Sequence, residues 1–288
     1  MHAETPLLTT THPTDPRRFT LIHRPARGRN GLACWLALPH HVRRDQPALI
    51  AIHGIQRGAE DMARSFAARA ASEGRTVIAP IFDEANWPGY QRVVRQRRAD
   101  LGLIALLEEL TFEGVAGTRR FTLFGFSGGA QFAHRFAMLY PHRIERLVAA
   151  AAGWYTMPDA GVPFPYGMGA EHDRRLAWGP QLAAALPAFL QIPVAILVGA
   201  QDKHPDSATR STPTLDRQQG PDRLSRARCW THALTTAAHS RGLPTRAHLE
   251  ILDDCGHDFM TCVHHGDLVR HVFTQPTSSL DDVLPLAA

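Results

Sequence analysis

Cysteine is scarce in this chain, with four in 288 residues: Cys34, Cys229, Cys255 and Cys262. So few in so long a chain do not make a disulfide framework, and the usage fits a reducing compartment. No apolar run reaches the length of a bilayer span, so no membrane partner is expected. The start, Met1 to Pro13, has no basic segment followed by an apolar one. No secretory signal is therefore read, and a cytoplasmic location is expected. Charge of one sign is not in large excess either: 31 Lys and Arg stand against 27 Asp and Glu, for a net +4. Acidic residues are interspersed with the basic ones, which argues against a nucleic-acid partner. Neither a Gly-x-Gly-x-x-Gly after the first strands nor a Walker lysine motif is present, which counts against a nucleotide-binding enzyme. No cofactor is assigned. Internal repeats and low-complexity tracts are absent as well.

What is present is an alternation of buried-type strands and amphipathic helices. Hydrophobic residues make up 44% of the chain, enough for a substantial core. Residues 19–26 and 31–39 flank Arg27-Gly28-Arg29-Asn30-Gly31, where Asn-Gly between apolar stretches signals a hairpin. Ala48 to His53, Thr76 to Phe82, 119–126, Ile144 to Ala152, Pro193 to Val198 and 246–252 read as strands. Helical patterns lie between them at 59–73, 90–111, 130–140, 223–241 and 259–273. The arginines early in 90–111 read as a solvated helix face. Such alternation predicts an α/β fold, a mostly parallel central sheet with helices on both faces and an N-terminal antiparallel hairpin. Residues 1–18 are expected to form a loose arm. Residues 19–288 are expected to form a single domain with insertions at about 156–190 and 203–222.

The most informative stretch is Phe121-Thr-Leu-Phe-Gly-Phe-Ser-Gly-Gly129. An apolar strand runs into Gly-x-Ser-x-Gly, and a helical pattern follows until Pro141. This context presents the Ser127 hydroxyl on a sharp strand-to-helix turn. In a doubly wound sheet, ligands bind at the carboxyl ends of the strands. Three further strand ends carry polar or glycine-bearing loops: His53-Gly54-Ile55-Gln56, Gly199-Ala200-Gln201-Asp202 and Cys255-Gly256-His257. Together they offer a hydroxyl, a carboxylate and an imidazole in the order Ser, Asp, His. A serine hydroxyl needs a base to take its proton, and the base needs an acid to fix its tautomer.

In these motifs the chain resembles the α/β-hydrolase superfamily over residues 48 to 273, approximately. His53-Gly54, Gly-Phe-Ser-Gly-Gly and Val198-Gly199-Ala200-Gln201-Asp202, with Gln219-Gly220 further on, resemble bacterial esterases related to polyhydroxyalkanoate depolymerases and feruloyl esterases. Secretion is common among those esterases, whereas no signal peptide is read here. The resemblance implies Ser127 as nucleophile, His257 as general base and Asp202 as its orienting acid, with Asp206 as the competing carboxylate. It implies oxyanion donors in the N–H groups of Gly128 and of Ile55, with Gln56 the neighbouring alternative. It implies hydrolysis of a carboxylic ester, the partner being a small-molecule or oligomeric ester. An amidase, peptidase or thioesterase on the same triad, or a non-catalytic binding protein of the same fold, stands as the alternative. Gln56, Trp87, Phe126, Trp154 and Tyr155 are candidate substrate contacts, because they sit on loops at the same rim. Cys255, His257, Cys262, His264 and His265 have zinc-ligand chemistry, but their spacing is not that of a metal knuckle. No metal is assigned.

Overall fold

The computed structural model describes residues 15–274, apart from 16, 29–30, 44, 95–96, 116, 118, 172–176 and 207–208. Most of the expected arm, the Asn30 position of the hairpin turn, parts of both expected insertions and the last residues lie outside these.

The strands are β1 (Phe19–Arg24), β2 (Ala33–Pro39), β3 (Leu49–Ile52), β4 (Val77–Ile81), β5 (Phe121–Phe126), β6 (Ile144–Ala150), β7 (Val194–Gly199) and β8 (Ala247–Leu252). They form one sheet in the order β1-β2-β4-β3-β5-β6-β7-β8. β1 pairs antiparallel with β2, and β2 with β4, while the remaining pairs are parallel. This is the architecture of the α/β-hydrolase fold, antiparallel hairpin included. After β3 the chain crosses to one side to make β4, then returns to the other side to make β5. The reversal leaves a crevice at the carboxyl ends of β3 and β5, where such sheets bind ligands.

The helices are α1 (Ala59–Ser72), α2 (Ala99–Phe112), α3 (Gly128–Leu139), α4 (Trp178–Phe189), α5 (Pro213–Gln219), α6 (Arg223–His239), α7 (Phe259–His264) and α8 (Leu268–Phe273). Alternate strand residues point to opposite faces, which explains the continuous apolar runs. Ile50 and Ile52 pack with residues of α2, α3, α4 and α6, whereas Leu49 and Ala51 pack with α1, α7 and α8.

Two helices differ from the sequence expectation. The 90–111 stretch is a 3₁₀ turn at Tyr90–Arg92 followed by α2 from Ala99. Gly89 (φ 69°), Val93 (φ 62°) and Arg98 (φ 52°) take left-handed or otherwise positive-φ conformations that a right-handed helix does not allow. Burial of Tyr90, Val93 and Val94 accompanies these breaks. Arg98 closes the segment by pairing with Asp100 and lying 4.5 Å from the Trp178 ring centroid. The 259–273 stretch likewise divides into α7 and α8 around Gly266 and Asp267 (φ 50°). A Cβ on Gly266 would lie 2.6 Å from Cys255 Sγ, so the chain can turn there only without one. The polar 203–222 stretch contains α5, which Thr212 caps by accepting from Leu215 N–H.

Candidate active site

The turn from β5 to α3 depends on two glycines. A Cβ on Gly125 would lie 2.2 Å from Gly129 O, and one on Gly129 would lie 2.0 Å from Ile52 O. Their absence lets α3 begin directly against β3 and β5. Ser127, between them, has φ 55° and ψ −115°, a strained geometry for a residue with a Cβ that costs roughly 1–3 kcal/mol. The Ser127 N–H donates to Ala150 O at 2.8 Å, and its carbonyl accepts from Ala130 and Gln131. These bonds hold the side chain above the sheet.

His257 Nε2 is 2.9 Å from Ser127 Oγ, and His257 Nδ1 is 2.9 Å from Asp202 Oδ2. Asp202 is 3% exposed. An acceptor-only carboxylate on Nδ1 fixes the proton there and leaves Nε2 free to accept the serine proton. A nucleophile, a base and an orienting acid are thus linked from the ends of β5, β8 and β7. Asp206 makes a different bond: Arg223 Nη2 donates to both of its oxygens at 3.0 Å. Burial works against the Asp206 charge, but the Thr209 hydroxyl and Arg223 outweigh it and hold the carboxyl at about 2.

The end of β3 lies opposite. A Cβ on Gly54 would be 3.4 Å from Ser127 Cβ, and one on Gly128 would be 3.5 Å from Ile55 N. His53, fully buried, sets this loop. Phe82 N–H donates to His53 Nε2 at 3.0 Å, so the proton resides on Nδ1, which donates to Gly54 O at 2.7 Å. With that carbonyl held on His53, the trans peptide turns the Ile55 N–H the other way. The Tyr90 hydroxyl donates to His53 O at 2.6 Å and its ring stacks on Phe82. Burial pushes His53 down to about 4, against the Gly54 hydrogen bond that favours its proton.

The crevice is a cavity of about 220 Å³ whose lining includes Ser127, His257, Ile55, Gln56, Phe126 and Phe259. Phe126 stacks on His257 with centroids 5.4 Å apart, and Phe259 meets Phe126 edge-on at 5.6 Å.

No protein-family model and no curated protein matches the chain. Among solved structures it is similar to the poly(3-hydroxybutyrate) depolymerase of Bordetella parapertussis, at 28% identity and TM-score 0.70, covering 86% of each chain. It is also similar to poly(aspartic acid) hydrolase-1 of Sphingomonas sp. KT-1, at 27% identity and TM-score 0.69, covering 83% of this chain and 93% of that one. An S-formylglutathione hydrolase of Agrobacterium tumefaciens shares the fold at 17% identity and TM-score 0.55, over 88% and 93% of the two chains. The linked serine, histidine and aspartate on this sheet decide the assignment. The chain is an α/β-hydrolase fold carrying a Ser-His-Asp triad. It is a serine hydrolase.

Of the hydrolase's expected substrate contacts, Gln56 and Phe126 line the cavity. Trp87, Trp154 and Tyr155 are placed elsewhere. Trp87 is buried edge-on against Phe82, with α2 approaching at Gly102. Trp154 lies under the Arg135 guanidinium, 4.0 Å from its ring centroid. Tyr155 stacks on Trp230 at 4.5 Å. These three aromatics pack beneath the loops rather than facing the crevice. Arg223, Tyr90, Phe259, Met260 and Asp61 are the site-forming residues that the sequence reading missed. Phe259, an apolar residue two positions beyond His257, carried a usable signal; a single arginine in an arginine-rich helix did not. Among the described residues no group of three or more His, Cys, Asp or Glu could hold a metal ion. Burial pushes the Cys262 thiol up to about 12, which disfavours the thiolate a metal needs. Among the described residues no helix is long and apolar enough to cross a membrane.

His53 gives the hydrolase a pH-dependent stability. A second buried histidine, His134, accepts from Thr156 N–H and faces Ala130 O at 2.8 Å, and burial holds it well below its ordinary value. Below pH 6.5 the unfolded chain takes up protons that the folded one refuses, so stability falls as pH drops toward 4. His53 alone accounts for roughly 3 kcal/mol across that window. Urea unfolding at pH 7.5 and pH 5 is expected to show about 2 kcal/mol of this loss from His53, and equal stabilities would contradict it.

Proposed function

We propose that the hydrolase cleaves neutral carboxylic esters through an acyl-enzyme on Ser127. The observation that carries this reading is the continuous chain Ser127 Oγ, His257 Nε2, His257 Nδ1, Asp202 Oδ2, with both links at 2.9 Å, at the floor of an open cavity. His257 takes the Ser127 proton as the hydroxyl attacks the ester carbonyl. It returns that proton to the leaving alcohol, then activates a water for deacylation. The Gly128 and Ile55 N–H groups are the proposed donors to the carbonyl oxygen as it gains charge. Gly128 opens α3, where backbone N–H groups have no partner one turn earlier, and the fixed Gly54 peptide supplies the second donor.

The substrate class follows from the cavity wall. Ile55, Met62, Phe126, Phe259 and Met260 give it an apolar surface, while its charged lining groups other than His257 are Asp61, Asp206 and Asp258. Among the described residues Asp61 and Asp258 line it without a facing Lys or Arg, and such carboxylates repel an anionic acyl chain. This supports a polyester or small neutral ester, as the name of the Bordetella depolymerase describes for that protein, over a polyanion such as poly(aspartic acid). With p-nitrophenyl butyrate and p-nitrophenyl hemisuccinate, kcat/KM is expected to favour the butyrate by about 10–100-fold. The gap is expected to narrow as salt is added. Equal rates, or faster cleavage of a matched p-nitroanilide, would contradict the proposal.

A further inference from the structure

The acid of the triad is itself held by a buried cation. We infer that Arg223 is a positioning residue: it locks the Asp202 carboxylate and, by its charge, sets the acidic limb of the activity profile, with Asp206 as its counterweight. Arg223 is the first residue of α6, whose start is fixed by a capping box between Asp222 and Ser225. The Leu224 N–H reaches Asp202 O at 3.4 Å, which ties that helix start to the triad loop. The Arg223 side chain is 2% exposed.

Its Nη1 donates to Asp202 Oδ1 at 3.1 Å, while Asp202 Oδ2 faces His257 at 2.9 Å. Each oxygen of the triad carboxylate therefore has one partner, and rotating the carboxylate breaks both contacts. The second amino group of the fork takes both oxygens of Asp206 at 3.0 Å. A buried guanidinium is costly unless paired, and here two carboxylates pair it. A lysine could supply the charge but not the fork.

The charged groups facing His257 are Asp202 with Arg223 behind it, Asp206 at the rim, Asp258 in the histidine's own loop and Asp61 across the cavity on α1. Among the described residues Arg223 is the cation of this group. A positive charge behind Asp202 opposes protonation of the Asp202–His257 couple. Without it the couple holds its proton to higher pH, so the active, unprotonated form is reached later. Removing Asp206 acts in the opposite sense, and less strongly, because Asp206 is 44% exposed at the side chain.

The test is the pH dependence of kcat/KM for p-nitrophenyl butyrate in the full chain and in Arg223→Met, Arg223→Lys and Asp206→Asn. Arg223→Met is expected to raise the acidic limb by about one pH unit and to lower kcat/KM at pH 7 by about tenfold or more. Arg223→Lys is expected to keep the limb near its native position while kcat stays reduced. Asp206→Asn is expected to move the limb down by about a few tenths of a unit, the size of effect a screened, half-exposed charge has. Lower activity in Arg223→Met with an unmoved limb would reduce Arg223 to a structural role and overturn the inference. Should Arg223→Met not fold, Asp206→Asn decides, and a limb that stays or rises overturns it. The inference rests on the triad reading, which fluorophosphonate labelling of the unaltered protein reports separately. If the unaltered protein does not label, both readings fall; if it labels and the limb is unmoved, only this inference does.

Discussion

Ser127→Ala is expected to lower ester turnover by roughly 10⁵–10⁶-fold while leaving the fold intact. The Cβ and the strained backbone remain, and the bonds that hold the turn are main-chain ones to Ala150, Ala130 and Gln131. What disappears is the single oxygen 2.9 Å from His257 Nε2. His257→Ala is expected to cost nearly as much, because an unassisted serine hydroxyl is a weak nucleophile. The double variant should be hardly worse than either alone, since the three residues act as one unit. Independent, multiplying losses in a cycle of the two variants would mean that Ser127 and His257 do not work on the same proton.

Gly129→Ala is expected to damage the fold severely for so small a substitution. The added methyl would stand 2.0 Å from Ile52 O and 2.5 Å from His53 O. Both are main-chain atoms of the central strand and its loop, so no side-chain rotation relieves the overlap. Relief requires α3 to lift from β3, which uncovers core and displaces Ser127. The expected cost is about 3 kcal/mol or more, a fall in Tm on the order of 10 °C. Gly256→Ala is the contrast, because a Cβ there meets nothing within 4 Å. Its Tm should stay within about 2 °C of the unaltered protein. Thermal unfolding of the two variants checks the difference, and equal melting would contradict the close approach of α3 to β3.

The central parallel strands were legible because burial on both faces makes them read as unbroken apolar runs, as in Leu49–Ile52 and Val194–Gly199, whereas β8, half-exposed at the sheet edge, alternates apolar residues with His248 and Glu250. The triad was legible for a related reason. Its members sit at strand ends, where glycine and polar residues interrupt those runs, as in Gly199-Ala-Gln-Asp202 and Cys255-Gly-His257. Helix boundaries were less so. Val93 and Val94 continue the apolar spacing of α2, yet positive φ at Val93 and Arg98 breaks the helix, and nothing in local residue preference announces that. The choice between Asp202 and Asp206 was open for the same kind of reason. Both lie in one loop, and their roles separate only in the folded chain, where Asp202 meets His257 Nδ1 and Asp206 is taken up by Arg223 from the start of α6. The aromatic loop residues misled because proximity to the rim in sequence says nothing about which way a ring turns. Tyr155 turns onto Trp230 and Trp154 onto Arg135, both in the core.

Every role assigned to this crevice requires Ser127 to be a nucleophile activated by His257. The most direct measurement is mass spectrometry of the protein after incubation with a fluorophosphonate, followed by peptide mapping. The predicted result is one phosphonyl adduct per chain, located on Ser127, absent in Ser127→Ala and strongly slowed in His257→Ala. An unlabelled native protein, or an adduct that persists in Ser127→Ala, would contradict it.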